Sequence, residues 1–346
     1  MKKGLIIKMS SMGDIIHTLP ALTDAKKALG DIQFDWVVEP GFAEIPKWHT
    51  AVNQVICAPF RQWRKTPFET IKSGGGREFI HQLRSSSYDI VIDAQGLVKS
   101  ALVCLMSKGP KCGLDKESAR ESIASYAYQH KFFVAKNQHA VERVRQLFAK
   151  ALSYVLPLTS PDYGINRSLF NSHAYGEKSI LFLHGTTWIT KHWPERYWQK
   201  LGALVSQAGY QVLLPWGNER EKARAQEITT FSRQQGLVEP IILPKLSLGA
   251  LTALIASAKG VVAVDTGLGH IAAAMAVPTV SLYGPTDPGL TGAYGPNQLH
   301  LRSNFPCSPC MGKECKKGNH FEITPPCFEP LSPESVWQTL VKLMQP

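Results

Sequence analysis

Short apolar runs alternate with stretches of helical periodicity along the whole chain. LIIKM (residues 5–9), FDWVV (34–38), VICA (55–58) and DIVIDAQG (89–96) read as strands. Residues 13–29, 98–108 and 140–152 carry apolar positions at helical spacing. The alternation pauses at residues 157–170, PLTSPDYGINRSLF, where prolines, a glycine and turn formers predict a linker. It then restarts with SILFLH (179–184), QVLLP (211–215), IILP (241–244), GVVAV (260–264) and TVSLYG (279–284). Helices are expected between these runs, near residues 194–207 and 269–275 and from residues 219 and 247. Strand, helix, strand in succession predicts parallel sheets with helices on both faces. The fold class expected is α/β: two similar halves, residues 1–160 and 161–330, with a cleft between them. A last helix at 333–344, within residues 331–346, is expected to pack back on the first half. In open parallel sheets ligands collect beyond the carboxyl ends of the strands. Chemistry therefore belongs just after the apolar runs.

At 346 residues the chain is long enough for two domains. No apolar run reaches the roughly 18 residues that span a bilayer, so no transmembrane segment is expected. The start, MKKGLIIKM, is interrupted by Lys8 and is too short for a signal peptide. A cytoplasmic protein is the expectation. Lys and Arg number 38 against 27 Asp and Glu, a net charge of +11. Such a balance points to an anionic partner, whether nucleic acid, acidic lipid or a phosphorylated substrate, and does not choose among them.

Four motifs sit where ligands are expected. In KMSSMGDIIHTLPAL, Ser10, Ser11, Met12 and Gly13 turn the chain into a helix that opens with Asp14. Asp14 is either a carboxylate aimed at the cleft or a helix-start acid stabilised by the dipole. The turn is neither GxGxxG nor a P-loop, so neither NAD nor Walker-type nucleotide binding follows. In HGTTWITKHWPERYW, Thr186, Thr187 and Lys191 suit a diphosphate, because a lysine supplies a point charge; an ordinary solvated loop is the alternative. In LPWGNEREKARA, Gly217 is followed by Glu219 and Glu221, either of which could hold a ribose or simply charge a first helical turn. In VDTGLGHIAAAMAVPTVSLYGPTDP, Asp265, Thr266, Gly267, Gly269 and His270 cluster at a strand end and helix start. Glycines there expose backbone N–H groups to an anion. A lone buried histidine is more often structural, but this grouping favours a site.

Together KMSSMGDIIHTLPAL, DAQGLVKSAL, KHWPERYW, LPWG, VDTGLGH and GPTDP resemble the bacterial ADP-heptose:lipopolysaccharide heptosyltransferases over about residues 4–300. The resemblance is closest to the type I branch, which adds the first heptose to Kdo-lipid A. It implies the glycosyltransferase B-type fold, two Rossmann-like domains facing across a cleft. It also implies inverting transfer from ADP-L-glycero-D-manno-heptose, with no cofactor, no catalytic metal and no nucleic-acid partner. The expected location is the cytoplasmic face of the inner membrane, held peripherally. Asp14 matches the general base. Thr186, Thr187 and Lys191 match the diphosphate positions, with Lys191 also catalytic. Glu221 matches the ribose-binding acid, with Glu219 open as the alternative. Asp265, Thr266, Gly267 and His270 match the donor loop, Leu246 an apolar position beside adenine, and Ser10, Ser11, Met12 and Gly13 first-domain donor contacts. A second heptose addition, another acceptor, or a nucleotide-sugar epimerase of the same architecture are the alternatives.

The stretch FRQWRKTPFETIKSGGGREFIHQLR (residues 60–84) is rich in basic residues. By the resemblance, Arg61, Arg64 and Lys65 lie on the acceptor side, to which Arg120, His139 and Arg143 are expected to add. Trp63 and Phe68 are expected at a lipid–water boundary. Near the end, Cys307, Cys310, Cys315 and Cys327 form C-x2-C-x4-C-x11-C, with His320 nearby. Seven cysteines without an export signal favour reduced thiols, then a structural zinc, over a disulfide.

Overall fold

The computed structural model describes residues 2–66, 74–170, 175, 178–317 and 321–345. Phe68 and His320 lie outside the described residues. The chain divides into two compact units, Met1–Asn166 and Arg167–Pro346.

The first unit holds six parallel strands: β1 (Lys2–Ile7), β2 (Ile32–Val38), β3 (Val52–Cys57), β4 (Ile90–Asp93), β5 (Lys111–Leu114) and β6 (His130–Phe132). Their order across the sheet is β3-β2-β1-β4-β5-β6. Chain direction across the sheet reverses between β1 and β4, which opens a crevice at their carboxyl ends. The second unit repeats the plan with β7 (Ser179–Leu183), β8 (Gln211–Leu214), β9 (Ile241–Ile242), β10 (Gly260–Val264), β11 (Thr279–Tyr283) and β12 (Gln298–Arg302). Here the order is β12-β11-β10-β7-β8-β9, and the reversal falls between β7 and β10. Every residue of β7, β10 and β11 is buried. Such strands read as unbroken apolar runs because helices cover both faces of the sheet.

The stretch read as one helix over residues 13–29 is two, Met12–Ile16 and Leu19–Leu29. Pro20 lacks an N–H and fits only the first turn of a helix, so the chain restarts there. The segment read as a linker also differs. Arg145, buried between Asp24 and Glu142, donates to the carbonyls of Pro157 and Thr159 at 3.2 Å each. Lys27 pairs with Asp162 at 2.8 Å, and Ile165 bridges to His49. Gly164 has φ +60°, and a Cβ there would collide with His49 and Thr23. Residues up to 166 are therefore stapled to the first unit, and the division falls six residues later than the sequence boundary.

The last helix, Pro333–Met344, buries Val336 and Leu340 in the core of the second unit, beside Phe328, Trp193 and Val262. A Cβ on Gly260 of β10 would lie 2.8 Å from Met344 Sδ and 3.1 Å from Leu340 Cδ1. The helix is thus part of the second unit's own core. The bare backbone at Gly260 gives its apolar face a close seat on the neighbouring sheet, and burying Leu340 contributes about 1.5–3 kcal/mol.

Candidate active site

In the first unit the loop after β1 and the loop after β4 are tied together at the switch point. Gln95 accepts from Met9 N at 2.7 Å through Oε1 and donates to Ser10 O at 2.6 Å through Nε2. Buried Asp93 holds that loop from below, accepting from Gln95 N, Gly96 N and the Tyr128 hydroxyl. Lys8 is buried at the end of β1 and donates to Ala94 O at 2.8 Å. The helix Met12–Ile16 then presents Asp14 in its first turn.

Asp14 fits the helix-start reading, and its side chain is not fully buried. Its Oδ2 accepts from Ser11 N at 2.9 Å and Ser11 Oγ at 2.8 Å, which makes it a helix-start carboxylate. Its side chain is still 31% exposed, with Lys8 Nζ 3.7 Å from Oδ1. Burial raises its pKa, but Lys8, the two Ser11 bonds and Arg120 together outweigh that and hold it below the usual carboxylate value. A base with this pKa is ionised at neutral pH and weak. Ser10 and Gly13 are buried, and Ser11 caps the helix that Met12 begins.

The basic residues fall into two groups on the same strand-end rim. Arg61, Arg64 and Lys65 lie exposed on the helix Phe60–Lys65, which follows β3; Arg61 stacks on Phe42 at 5.5 Å. Trp63 turns the other way, against Phe60 and Phe79 at 5.0 and 5.5 Å. It is half-buried against the core of the first unit. Arg120 follows β5 and is exposed, close enough to bias Asp14. Arg143 donates to Ser118 O at 2.7 Å, and burial pushes its pKa down. His139 is buried, caps the helix Ala140–Leu152 by accepting from Val141 N, and meets the His17 ring edge-on at 5.2 Å. Since β3 and β5 are four places apart in the sheet, roughly 19 Å, the two groups flank Asp14 from opposite sides rather than sharing one face.

In the second unit the switch-point residues also converge. Thr186, after β7, donates to Asp265 O at 2.9 Å. Lys191 Nζ lies 2.7 Å from Asp265 Oδ2 and 4.3 Å from the Trp188 ring centroid. Thr286 donates to the same Asp265 oxygen at 2.7 Å. Lys191 is thus placed by a carboxylate and an indole face, and its ammonium keeps further N–H donors beyond the one directed at Asp265. Thr187 is exposed. Thr266 caps the helix Gly267–Ala274 without a side-chain bond, and His270 is buried within it.

Glu221 folds onto the backbone, accepting from Gly217 N at 2.7 Å; a Cβ at Gly185 would lie 2.5 Å from its carboxyl carbon. Glycine at 185 is what lets the carboxylate reach the ends of β7 and β8. Glu219 is exposed on the first turn. Leu246 is half-buried after β9, where Trp216 donates to Leu243 O at 2.7 Å. Arg224, unremarked in the sequence, donates to His184 O at 3.0 Å beside this group.

Cys307, Cys310, Cys315 and Cys327 line one small cavity with Thr190, Gly284 and Pro285. All seven cysteines are free thiols. Among the described residues no three His, Cys, Asp or Glu side chains stand in metal-binding geometry.

The model of glycosyltransferase family 9 (heptosyltransferase) matches residues 77–320. Lipopolysaccharide heptosyltransferase 1 of Pseudomonas aeruginosa is 51% identical over 342 residues, covering 96% of this chain and 95% of that one. The chain belongs to glycosyltransferase family 9. As a heptosyltransferase it is similar throughout its length to a solved relative, Escherichia coli heptosyltransferase WaaC with ADP, at TM-score 0.86 and 43% identity over 99% of both chains. WaaC with ADP-2-deoxy-2-fluoro heptose matches at TM-score 0.83 and 42% identity, over 98% of this chain and 99% of that one. The heptosyltransferase activity, the type 1 assignment and the paired α/β architecture expected from the sequence are supported by these relatives and by the strand order.

Proposed function

We propose that this heptosyltransferase moves heptose from ADP-L-glycero-D-manno-heptose to Kdo of Kdo-lipid A, with inversion, at the cytoplasmic face of the inner membrane. The observation that carries this reading is the placement of Lys191 and Asp265 at the switch point of the second unit. The donor's diphosphate meets Lys191, Thr186, Thr187 and the N–H groups opening the helix at Gly267, while Glu221 takes the ribose and Leu246 lies beside adenine. Asp14 removes the acceptor hydroxyl proton, and the freed oxygen displaces ADP from the anomeric carbon. Charge growing on the leaving diphosphate is met by Lys191 and the helix N-terminus, which are fixed before reaction. Arg61, Arg64, Lys65, Arg120 and Arg143 face the Kdo carboxylates and lipid A phosphates. The test is ADP release by purified protein with ADP-heptose, with and without Kdo-lipid A. Release that needs the acceptor supports the reading; conversion of the donor without it fits an epimerase and refutes it.

A further inference from the structure

The helix Val98–Met106 leaves one apolar stripe in solvent. Leu102 and Leu105 are 54% and 55% exposed, and Val98 continues the same face one turn earlier. Beside it, the short helical turn Ser122–Ala127 holds out Ile123 and Tyr126 at 69% and 79% exposure. Five large apolar side chains on two adjoining elements form a patch, unlike the isolated exposed leucine of an ordinary surface. Cations flank it along the chain: Lys108, Lys116, Arg120 and Lys131 are exposed, and Lys131 Nζ lies 5.8 Å from the Tyr126 ring centroid. Exposed Glu117 and Glu121 lie among these cations, Glu121 accepting from Val98 N at 2.6 Å, and the four cations outnumber them.

The patch is continuous with the Asp14 loop. The helix begins two residues after Gly96, and Lys99 Nζ reaches Ser10 Oγ at 3.5 Å. From Val98 to Leu105 the stripe runs roughly 10 Å away from that loop, at about 1.5 Å per residue.

We propose that this face, carrying Val98, Leu102, Leu105, Ile123 and Tyr126, is where the protein lies on an anionic lipid bilayer. An apolar stripe with a tyrosine and a rim of lysines is the chemistry of an interfacial helix, with rings and stems among the lipids and charges at the headgroups. The inference deepens the proposed function, since a lipid-anchored acceptor reaches Asp14 most directly if the bilayer meets the protein beside it. The opposing basic helix Phe60–Lys65 offers no equivalent, because Phe60 and Trp63 pack against each other and Phe79 and no large apolar side chain on it is exposed.

Flotation of the full-length protein with vesicles of phosphatidylethanolamine, with and without phosphatidylglycerol, tests the face without donor or acceptor. Wild type is expected to float with the anionic vesicles. Leu102→Ser with Leu105→Ser is expected to lower the bound fraction at least about tenfold. Lys108→Glu with Lys131→Glu is expected to abolish the preference for phosphatidylglycerol and the salt dependence. The leucine variant should keep kcat on a water-soluble Kdo acceptor while its KM for vesicle-embedded acceptor rises. Undiminished vesicle binding by the leucine variant overturns the proposal. So does sedimentation showing that the patch holds a second copy of the chain and that only its loss dissociates a dimer. Vesicle capture that depends on Leu102 and Leu105 in a protein without heptose transfer would leave this face standing and remove the proposed function alone.

Discussion

Asp14 shows how a residue can satisfy its own helix and still be available. Ser11 occupies one of its oxygens, and Lys8 stands 3.7 Å from the other. Asp14→Asn keeps the shape and removes the base, so kcat should fall by about 10²–10⁴ with donor affinity nearly unchanged. Because its pKa is held below the ordinary 3.8, any acid limb of the rate above pH 5 must come from another group. Lys191→Ala should weaken ADP binding and lower kcat together, since the diphosphate is charged before the transition state and more so within it. Titration of ADP into this variant checks the first half of that statement, and Lys191→Arg should restore only part of both. The sequence placed Asp14, Lys191 and Asp265 after strands, which is where they lie. It could not show that Lys191 and Asp265 are partners, because 74 residues of chain separate them. Nor did it single out Gln95, whose two bonds lock the Asp14 loop. A neutral amide carries no charge pattern to notice.

At the scale of elements, buried strands were the easiest to read. GVVAV matches β10 residue for residue, and the helix Ala140–Leu152 matches its periodicity at both ends. The strands β5, β6 and β12 escaped, being short or polar and lying at or next to sheet edges. The cysteine-bearing elements differ in reactivity for a reason that exposure sets. Burial pushes the Cys327 thiol up to about 12 and the Cys112 thiol to about 11, and Cys104 is buried as well. The thiolate is the nucleophile, so maleimide on native protein should label Cys57 and Cys310, both exposed, well before these three. Mass spectrometry of a time course reads the order, and early labelling of Cys327 would contradict the packing around it.

Across the whole molecule, acid sensitivity is built into buried imidazoles of both units. His49 is held at about 4 by burial, with Lys26 adding to it, and its Nδ1 accepts from Ala51 N at 3.0 Å. His192 is likewise depressed to about 4 and His184 to about 3, each chiefly by burial. The unfolded chain takes up protons near pH 6.5 while the native state declines them until about pH 4. Stability is therefore complete above pH 6.5 and drains away as pH falls between those values. Thermal unfolding should show Tm dropping steadily from pH 7 to 4, with a shallower slope for His49→Gln. A flat profile would mean that these imidazoles already take protons in the folded state.

The anchoring of residues 154–166 bears on how the chain can be cut. Arg145 spends its guanidinium on Asp24, Glu142 and the carbonyls of Pro157 and Thr159. A fragment that stops before Pro157 keeps the buried cation and discards two of its acceptors, together with the Asp162 that answers Lys27. A fragment that runs to Asn166 carries all of them. The stretch that looks most dispensable on paper is thus the seam of the first unit, and dissection of this enzyme into separately expressed halves has to be made on its far side.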